Sequence, residues 1–341
     1  MKNPYSLVFG IEPEEYISRL SQEEEIINSI SSGTQRMYMI TGVRGSGKTV
    51  FMTEIKEEFE KRDDWVVVEL STERDMLSSL AGKLNSKRGL TEMFRSAKIN
   101  LSFFGFGVEI KGTSPISDIE VALQKMLEAL KKHNRQLLVV VDEAVDNKEM
   151  REFASVFQIL LRDKLPINLI MTGLYENIDD LQNEKNLTFL YRTPKVFLNP
   201  LSVGTMADSY RRNLGVDTDT SIKMAQLTRG FPYAFQVLGS LAWDNDGDYV
   251  DIIPMFKQYL EEYVYDKIWS EISEKDKAVL NGIAKVPSGK ILEIRNLLNL
   301  EANEFAPYKK RLLRKGLISD ERGYAKLTLP LFDEFIKENY Y

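Results

Sequence analysis

Residues 42–49 read GVRGSGKT, and this stretch decides the fold. It matches the pattern G-x-x-x-x-G-K-[ST] at every specified position. An apolar run, Met37 to Thr41, precedes it, and a segment of helical period, Lys48 to Lys61, follows. Such a loop wraps backbone N–H groups around phosphate oxygens, so it needs glycine where φ is positive or where the ligand approaches closely. The sequence therefore predicts a phosphate-binding loop between a strand and a helix, with an accidental glycine-rich turn as the alternative.

The residue types in this loop indicate a nucleoside triphosphate site that uses Mg²⁺. Lys48 supplies a point charge to the β and γ phosphates, and Thr49 offers a hydroxyl to the metal. The helix that begins near Lys48 directs its positive N-terminal end at the anion. We expect ATP or ADP to lie against Gly42, Val43, Arg44, Gly45, Ser46, Gly47, Lys48, Thr49 and Val50.

The second half of such a site is a carboxylate at the end of another buried strand, and residues 137–143, LLVVVDE, provide it. We expect Asp142 to hold Mg²⁺ through water, and Glu143 to polarise the attacking water as a general base. Kinases that phosphorylate small molecules do not need the second acid, so Glu143 favours a hydrolase over a kinase. In the alternative interpretation, both carboxylates only cap the helix that follows.

Two further residues are predicted to act in catalysis, together with Lys48 and Glu143. Thr172 ends the apolar run 168–172 and is the polar group there that can orient water; a structural hydroxyl is the alternative. Arg192 precedes a further apolar run and is the best candidate for an arginine finger that reaches the ATP of a neighbouring subunit in a homo-oligomer. A surface salt bridge is the alternative for Arg192.

Five apolar runs define the N-terminal part of the chain, and their unbroken apolarity predicts parallel strands with both faces buried. They are Met37 to Thr41, Trp65 to Leu70, Leu137 to Asp142, Asn168 to Thr172 and Lys195 to Leu198. Helical segments alternate with them, which predicts an α/β domain over residues 1–201. Residues 98–111, KINLSFFGFGVEIK, alternate polar and apolar side chains and predict an inserted hairpin, either packed on the sheet domain or contacting a partner or nucleic acid.

Beyond residue 201 the pattern changes twice. Residues 202–271 carry successive helical periods broken by Gly, Asp and Asn, which predicts a helical lid domain. Residues 272–341 give three helices, two short strands with a DERG turn between them, and a closing helix. That order is typical of a winged helix-turn-helix domain.

The composition excludes several kinds of chemistry. The 341 residues include one His and no Cys, so disulfides, thiolate zinc sites, Cys nucleophiles and multi-histidine metal sites are absent. A net charge of -6 argues against a surface that coats nucleic acid throughout. The N-terminus lacks the apolar core of a signal peptide, and no window has the length of a membrane span. We expect a cytoplasmic protein without a membrane partner.

A local basic patch nevertheless stands in the predicted winged helix. From residue 271 onward, 13 Lys and Arg face 11 Asp and Glu, so the sign of the charge reverses there. Its third helix and the tip of the wing could contact double-stranded DNA through Lys309, Lys310, Arg311, Arg314 and Arg322. Winged helices also serve as protein-docking or autoinhibitory modules, which is the alternative.

Taken together, the loop GVRGSGKT, the strand LLVVVDEA, the PLS turn at 200–202, and Gly230-Phe231-Pro232 followed by a winged helix resemble the AAA+ superfamily. Within it the chain resembles the branch of archaeal and bacterial MNS/STAND-like ATPases and origin-recognition initiators. The resemblance implies a P-loop NTPase fold of the ASCE/AAA+ kind over almost the whole chain. It also implies adenine contacts from Ile17 and Arg19 and a nucleotide contact from Pro232 in the lid.

The resulting hypothesis is an ATP-hydrolysing AAA+ switch that couples its nucleotide state to double-stranded DNA through the winged helix. The alternative is a STAND-like signalling ATPase whose winged helix binds a protein partner.

Overall fold

The computed structural model describes residues 2–7, 13–106, 110 and 112–340. These residues form two compact units. The sheet unit comprises residues 20–41 and 51–197, and the helical unit comprises residues 1–19, 42–50 and 198–341. Each unit has its own apolar core.

The sheet unit contains five parallel strands in the order β2-β3-β4-β1-β5. They are β1 (Met37–Thr41), β2 (Trp65–Leu70), β3 (Gln136–Val141), β4 (Ile167–Gly173) and β5 (Lys195–Phe197). Residues in the three central strands are almost all buried, as their unbroken apolarity predicts. The predicted parallel sheet is thus confirmed. Strand β4 lies between β3 and β1, so the ends of these three strands stand side by side.

Seven α-helices of seven or more residues lie between or beside these strands in the described part of the chain. They are α1 (Leu20–Ser31), α2 (Lys48–Glu60), α3 (Met76–Ser86), α4 (Leu90–Ser96), α5 (Ile119–Lys132), α6 (Lys148–Arg162) and α7 (Tyr175–Asn183). Side-chain caps fix several of their starts: the Asp118 carboxylate accepts the N–H of Val121, and the Asn147 amide oxygen accepts that of Met150. Helix α6 then buries Met150, Phe153 and Phe157, one stripe at helical spacing.

The hairpin predicted for residues 98–111 was wrong for the part of that segment that the structure describes. Residues 98–106 and 110 contain no strand, and Ser102–Phe104 form a 3-10 turn. The Asn100 side-chain oxygen accepts from both the N–H and the hydroxyl of Ser102, and Gly105 adopts φ +76°. This local turn chemistry outweighs the alternating pattern. Residues 107–109 and 111 lie outside the described residues.

Within the helical unit, the predicted lid occupies the first part of residues 198–341. Its helices are α8 (Val203–Leu214), α9 (Thr218–Leu227), α10 (Pro232–Asp244), α11 (Ile253–Leu260) and α12 (Asp266–Glu271), with a π-helical turn at Glu261–Tyr265. No strand occurs in residues 202–271, all of which are described. The helical character of this region is therefore confirmed.

The C-terminal region has the predicted winged-helix order. It consists of α13 (Glu274–Lys285), α14 (Ile291–Leu298), α15 (Ala302–Arg314), the antiparallel strands β6 (Ile318–Glu321) and β7 (Tyr324–Leu327), and α16 (Phe332–Asn339). Arg322 and Gly323 both have positive φ in the two-residue turn of the wing, which suits a tight hairpin. Lid and winged helix share one apolar core, so the boundary at residue 272 stays a prediction.

None of the described helices is both long and apolar enough to cross a membrane.

Candidate functional site

The phosphate-binding loop, residues 42–50, belongs to the helical unit and has the backbone its glycines predict. Gly45 and Gly47 adopt φ +80° and +82°, a region that L side chains rarely occupy. Lys48 Nζ donates to the carbonyl oxygens of Gly42 and Val43, both at 3.0 Å. The ammonium group is therefore held against the loop itself.

The loop also contains a buried polar atom that suits a ligand. Ser46 Oγ is buried and makes no hydrogen bond to any residue the structure describes. Buried polar groups are normally hydrogen-bonded, so a lone hydroxyl of this kind calls for a partner from outside the chain. Left-handed glycines, an ammonium group and this hydroxyl fit a phosphate-bearing ligand.

The N-terminus of lid helix α10 packs on the same loop. The Tyr233 N–H donates to the carbonyl oxygen of Gly45 at 3.2 Å. A Cβ at Gly45 would lie 2.7 Å from Phe231 Cζ and 3.1 Å from Tyr233 Cβ. Glycine is thus required at 45 by its φ and by space. Burial raises the pKa of the Tyr233 phenol.

The predicted adenine-side residues also meet the loop. The Arg19 guanidinium is buried and donates to the carbonyl oxygens of Asn199 at 2.7 Å and Ser46 at 3.1 Å. A Cβ at Gly47 would lie 3.7 Å from both Arg19 Nη1 and Pro232 Cβ. Ile17 is buried in the apolar core of the helical unit. The structure therefore brings Arg19 and Pro232 to Gly47, and their contact with adenine stays a prediction.

Two loop residues contact the region around the winged helix, which the sequence did not suggest. Arg44 Nη2 lies 3.6 Å from a carboxylate oxygen of Glu271, at the end of α12. A Cβ at Gly316, just after α15, would lie 3.3 Å from Val43 Cγ1. Burial lowers the pKa of the neighbouring Lys315 ammonium. Positions 43 and 44 are unspecified in the loop pattern, so only the folded chain reveals this contact.

The predicted carboxylates and Thr172 lie together at the ends of β3 and β4 in the sheet unit. The Thr172 hydroxyl donates to Asp142 Oδ1. The Glu143 N–H donates to Asp142 Oδ1 at 3.0 Å and to Thr172 Oγ1 at 3.3 Å. Glu143 is exposed and adopts φ +51°, which is uncommon for a residue other than glycine. Backbone strain of this kind accumulates at functional sites.

Arg192 ends a 3-10 turn, Thr188–Arg192, at the surface of the sheet unit. Gln182 holds this turn by donating to the carbonyl oxygens of Leu190 and Thr193. The Arg192 guanidinium is exposed and makes no hydrogen bond or ion pair with the described residues. The salt bridge considered as its alternative is therefore not formed within this part of the chain.

The five predicted DNA-contacting residues fall into two groups. Lys309 pairs with Asp320 at 2.7 Å, and Arg311 donates through Nε and Nη2 to the Asp276 carboxylate at 2.7 to 3.0 Å. These two cations tie α15 to the wing and to α13. Lys310, Arg314 and Arg322 are exposed, and Arg314 also takes part in an interaction within the chain.

A P-loop on β1 and an acidic end on β3, with β4 between the two strands, define the class as a P-loop ATPase of the AAA+ type. The family model described as an ATPase domain predominantly from Archaea matches residues 18–189, half of the chain. This protein belongs to that family. A second model, for a domain of unknown function, matches residues 262–336.

Solved structures support the same fold. The Walker-type ATPase PABY2304 of Pyrococcus abyssi is 17% identical with a TM-score of 0.66, over 95% of this chain and 97% of that one. The ORC2 protein of Aeropyrum pernix, in ADPNP and ADP complexes, is 14% identical with a TM-score of 0.58, over 97% of this chain and 95% of its own. At such identities the likeness shows the fold alone. Among curated proteins, none matches the sequence significantly.

Proposed function

We propose that this protein is an ATP-hydrolysing molecular switch whose winged helix binds double-stranded DNA according to the nucleotide state. One observation carries the proposal: the phosphate-binding loop and the winged helix belong to the same compact unit, and a Cβ placed on Gly316 would lie 3.3 Å from Val43 Cγ1, so the two segments lie close together. The ion pair of Arg44 with Glu271 links the loop to the end of α12, the lid helix that leads directly into the winged helix.

Nucleotide binding follows from the loop. Its backbone N–H groups and the buried Ser46 hydroxyl bind phosphate oxygens, and Lys48 pairs with the β and γ phosphates. Thr49 and Asp142 are the residues that would hold Mg²⁺, which usually keeps several waters and takes few protein ligands. When bound, the metal neutralises charge on the phosphate oxygens.

Hydrolysis rests on the acidic strand end. Glu143 is the exposed carboxylate beside Asp142, and it acts as the general base that takes a proton from the attacking water. Arg192 is exposed and has no partner among the described residues, so it suits a finger that stabilises transition-state charge in the site of a neighbouring copy.

The coupling step follows from what Lys48 contacts. Its ammonium group donates to the carbonyl oxygen of Val43, whose side chain faces Gly316. A phosphate oxygen is a stronger, charged acceptor and competes for that ammonium group. Losing the Lys48 bond frees the Val43 backbone to shift against the winged helix. The winged helix then has a different environment with and without bound phosphate.

DNA binding is assigned to the exposed cations of α15 and the wing. Lys310, Arg314 and Arg322 contact phosphates or base edges, while Lys309 and Arg311 hold α15 in place through their acidic partners. The wing turn presents Arg322 at its tip, between β6 and β7. A winged helix commonly uses these two elements on a duplex.

A second candidate function is a signalling ATPase whose winged helix docks a protein. It is favoured by two apolar side chains on α14 that are largely exposed, Leu292 at 63% and Leu297 at 51%. Exposed apolar groups on one helix suit a protein partner better than a phosphate backbone.

Hydrolysis is tested by phosphate release from ATP with Mg²⁺. We expect activity in the wild type, loss of binding and hydrolysis in Lys48→Ala, and retained binding with hydrolysis lowered at least about a hundredfold in Glu143→Gln. The matched control is Glu152→Gln, which removes an exposed glutamate of α6 and should change nothing. Full hydrolysis by Glu143→Gln would contradict its role as the base.

DNA binding is tested by the dependence of duplex affinity on salt. Replacing Lys310, Arg314 and Arg322 together by Ala should reduce the slope of log affinity against log salt by up to about three, because each phosphate contact contributes about one. Lys285→Ala, at the exposed end of α13, is the control. An unchanged slope in the triple variant would favour the protein-docking function.

A further inference from the structure

The Thr172 hydroxyl lies at the junction of the two carboxylates described above. We infer that Thr172 is a positioning residue, which fixes the Asp142 carboxylate and the Glu143 backbone, and that it does not contact the γ-phosphate. This inference rests on the proposed hydrolysis, and it replaces the water-orienting role predicted from the sequence with an indirect one.

The Thr172 hydroxyl can make only a limited number of hydrogen bonds. A threonine hydroxyl has one proton to donate and two lone pairs to accept with. Its proton goes to Asp142 Oδ1, one lone pair accepts the Glu143 N–H, and the second lone pair belongs to a residue with no exposed surface, so water does not reach it. Phosphate oxygens accept hydrogen bonds and do not donate them, so Thr172 has no proton left for a γ-phosphate while it binds Asp142.

Contacts from Thr172 hold the Glu143 backbone in an uncommon conformation. The residue adopts φ +51°, a left-handed conformation that is unfavourable for an L residue other than glycine. Surrounding contacts must impose it, and Thr172 supplies two: its hydroxyl accepts the Glu143 N–H, and its carbonyl oxygen accepts the Ala144 N–H at 2.7 Å. The last residues of β4 therefore set the direction of the Glu143 side chain.

The neighbouring strands make this arrangement rigid. Thr172 is fully buried and pairs with Ile40 of β1 in the sheet register, while Met171 pairs with Val141 of β3. A Cβ at the next residue, Gly173, would lie 3.0 Å from the carbonyl oxygen of Ala144, so the chain after β3 lies close against β4. Asp142 Oδ1 accepts hydrogen bonds from both the Thr172 hydroxyl and the Glu143 N–H. These two bonds orient the whole carboxylate before Mg²⁺ binds.

The test compares Thr172→Val, which keeps the shape and removes the hydroxyl, with Thr172→Ser, which keeps the hydroxyl. Two quantities are measured: the affinity for a non-hydrolysable ATP analogue with Mg²⁺ and with EDTA, and the Mg²⁺ concentration that gives half-maximal hydrolysis. Groups that orient a metal ligand typically change metal affinity 10- to 100-fold when removed. We therefore expect Thr172→Val to raise the half-maximal Mg²⁺ concentration at least about tenfold and to weaken analogue binding only when Mg²⁺ is present.

Thr172→Ser should return both quantities to within about twofold of the wild type, a rescue that a change in packing alone would not give. If Thr172→Val does not fold, Thr172→Cys carries the same comparison, since a thiol is a weak donor. A lower turnover with unchanged Mg²⁺ dependence would overturn the inference and restore the water-orienting role. A wild type without hydrolysis would instead refute the proposed function, and the binding comparison would still decide the role of Thr172.

Discussion

The Arg311–Asp276 pair gives a prediction whose magnitude follows from the structure. The Asp276 side chain is 2% exposed, and Arg311 donates to it through Nε and Nη2. Arg311→Ala leaves this buried carboxylate without its cation, a change that typically costs 3 to 5 kcal/mol. Because the guanidinium group is 42% exposed and water can reach part of the site, we take the lower end, about 3 kcal/mol.

The assay is thermal or urea unfolding of the full chain, read on the transition of the helical unit. At about 2 to 4 °C per kcal/mol for a unit of this size, Arg311→Ala should lower Tm by about 6 to 12 °C. Lys310→Ala, its exposed neighbour, should stay within about 0.5 kcal/mol of the wild type. Adding Asp276→Asn to Arg311→Ala should recover part of the loss, since the orphaned charge disappears. If Arg311→Ala were as stable as Lys310→Ala, the structural role of the pair would be refuted.

Two further predictions concern the loop and the wing. Gly45→Ala should weaken nucleotide binding at least about tenfold by calorimetry, because φ is +80° and the new Cβ would lie 2.7 Å from Phe231 Cζ. The control is Gly204→Ala, whose Cβ would have its nearest neighbour at 3.8 Å. Equal nucleotide affinities of the two variants would contradict the requirement for glycine at 45. Arg229→Ala should speed amide exchange in residues 324–329, because it removes two 3.0 Å hydrogen bonds to the carbonyl oxygens of Leu327 and Leu329. The control, Arg211→Ala, should leave that exchange unchanged. Unchanged exchange in Arg229→Ala would show that Arg229 does not stabilise the wing.

Local sequence patterns were sufficient to predict most of the strands and helices of the fold. Apolar runs predicted all five parallel strands; the three central strands are buried on both faces, which leaves a direct mark in the sequence, whereas β5 at the edge is only partly buried. The order of helices and short strands predicted the winged helix in the same way. The hairpin at 98–111 was predicted wrongly because the alternation of side chains concealed a turn that the Asn100 side chain stabilises. Turn chemistry of this kind depends on one side chain rather than on a period.

In the candidate site, too, the sequence predicts some features, whereas others appear only in the folded chain. Pattern positions 42, 47, 48 and 49 carry the chemistry that identifies the loop, whereas Val43 and Arg44, which contact the winged-helix region, occupy positions that the pattern leaves open. Counting charges marked α15 as basic but could not show that Arg311 is paired with a residue 35 positions earlier. The left-handed backbone of Glu143 has no signal in the sequence, because it follows from contacts with another strand.

In the proposed mechanism, the nucleotide state reaches the winged helix through the phosphate-binding loop. The most direct measurement is the affinity for one DNA duplex at fixed salt, compared between Glu143→Gln saturated with ATP and the same variant saturated with ADP. We predict at least about a fivefold difference, the lower range of allosteric coupling, and its reduction when Arg44→Ala removes the ion pair with Glu271. Equal affinities in the two nucleotide states would contradict the account.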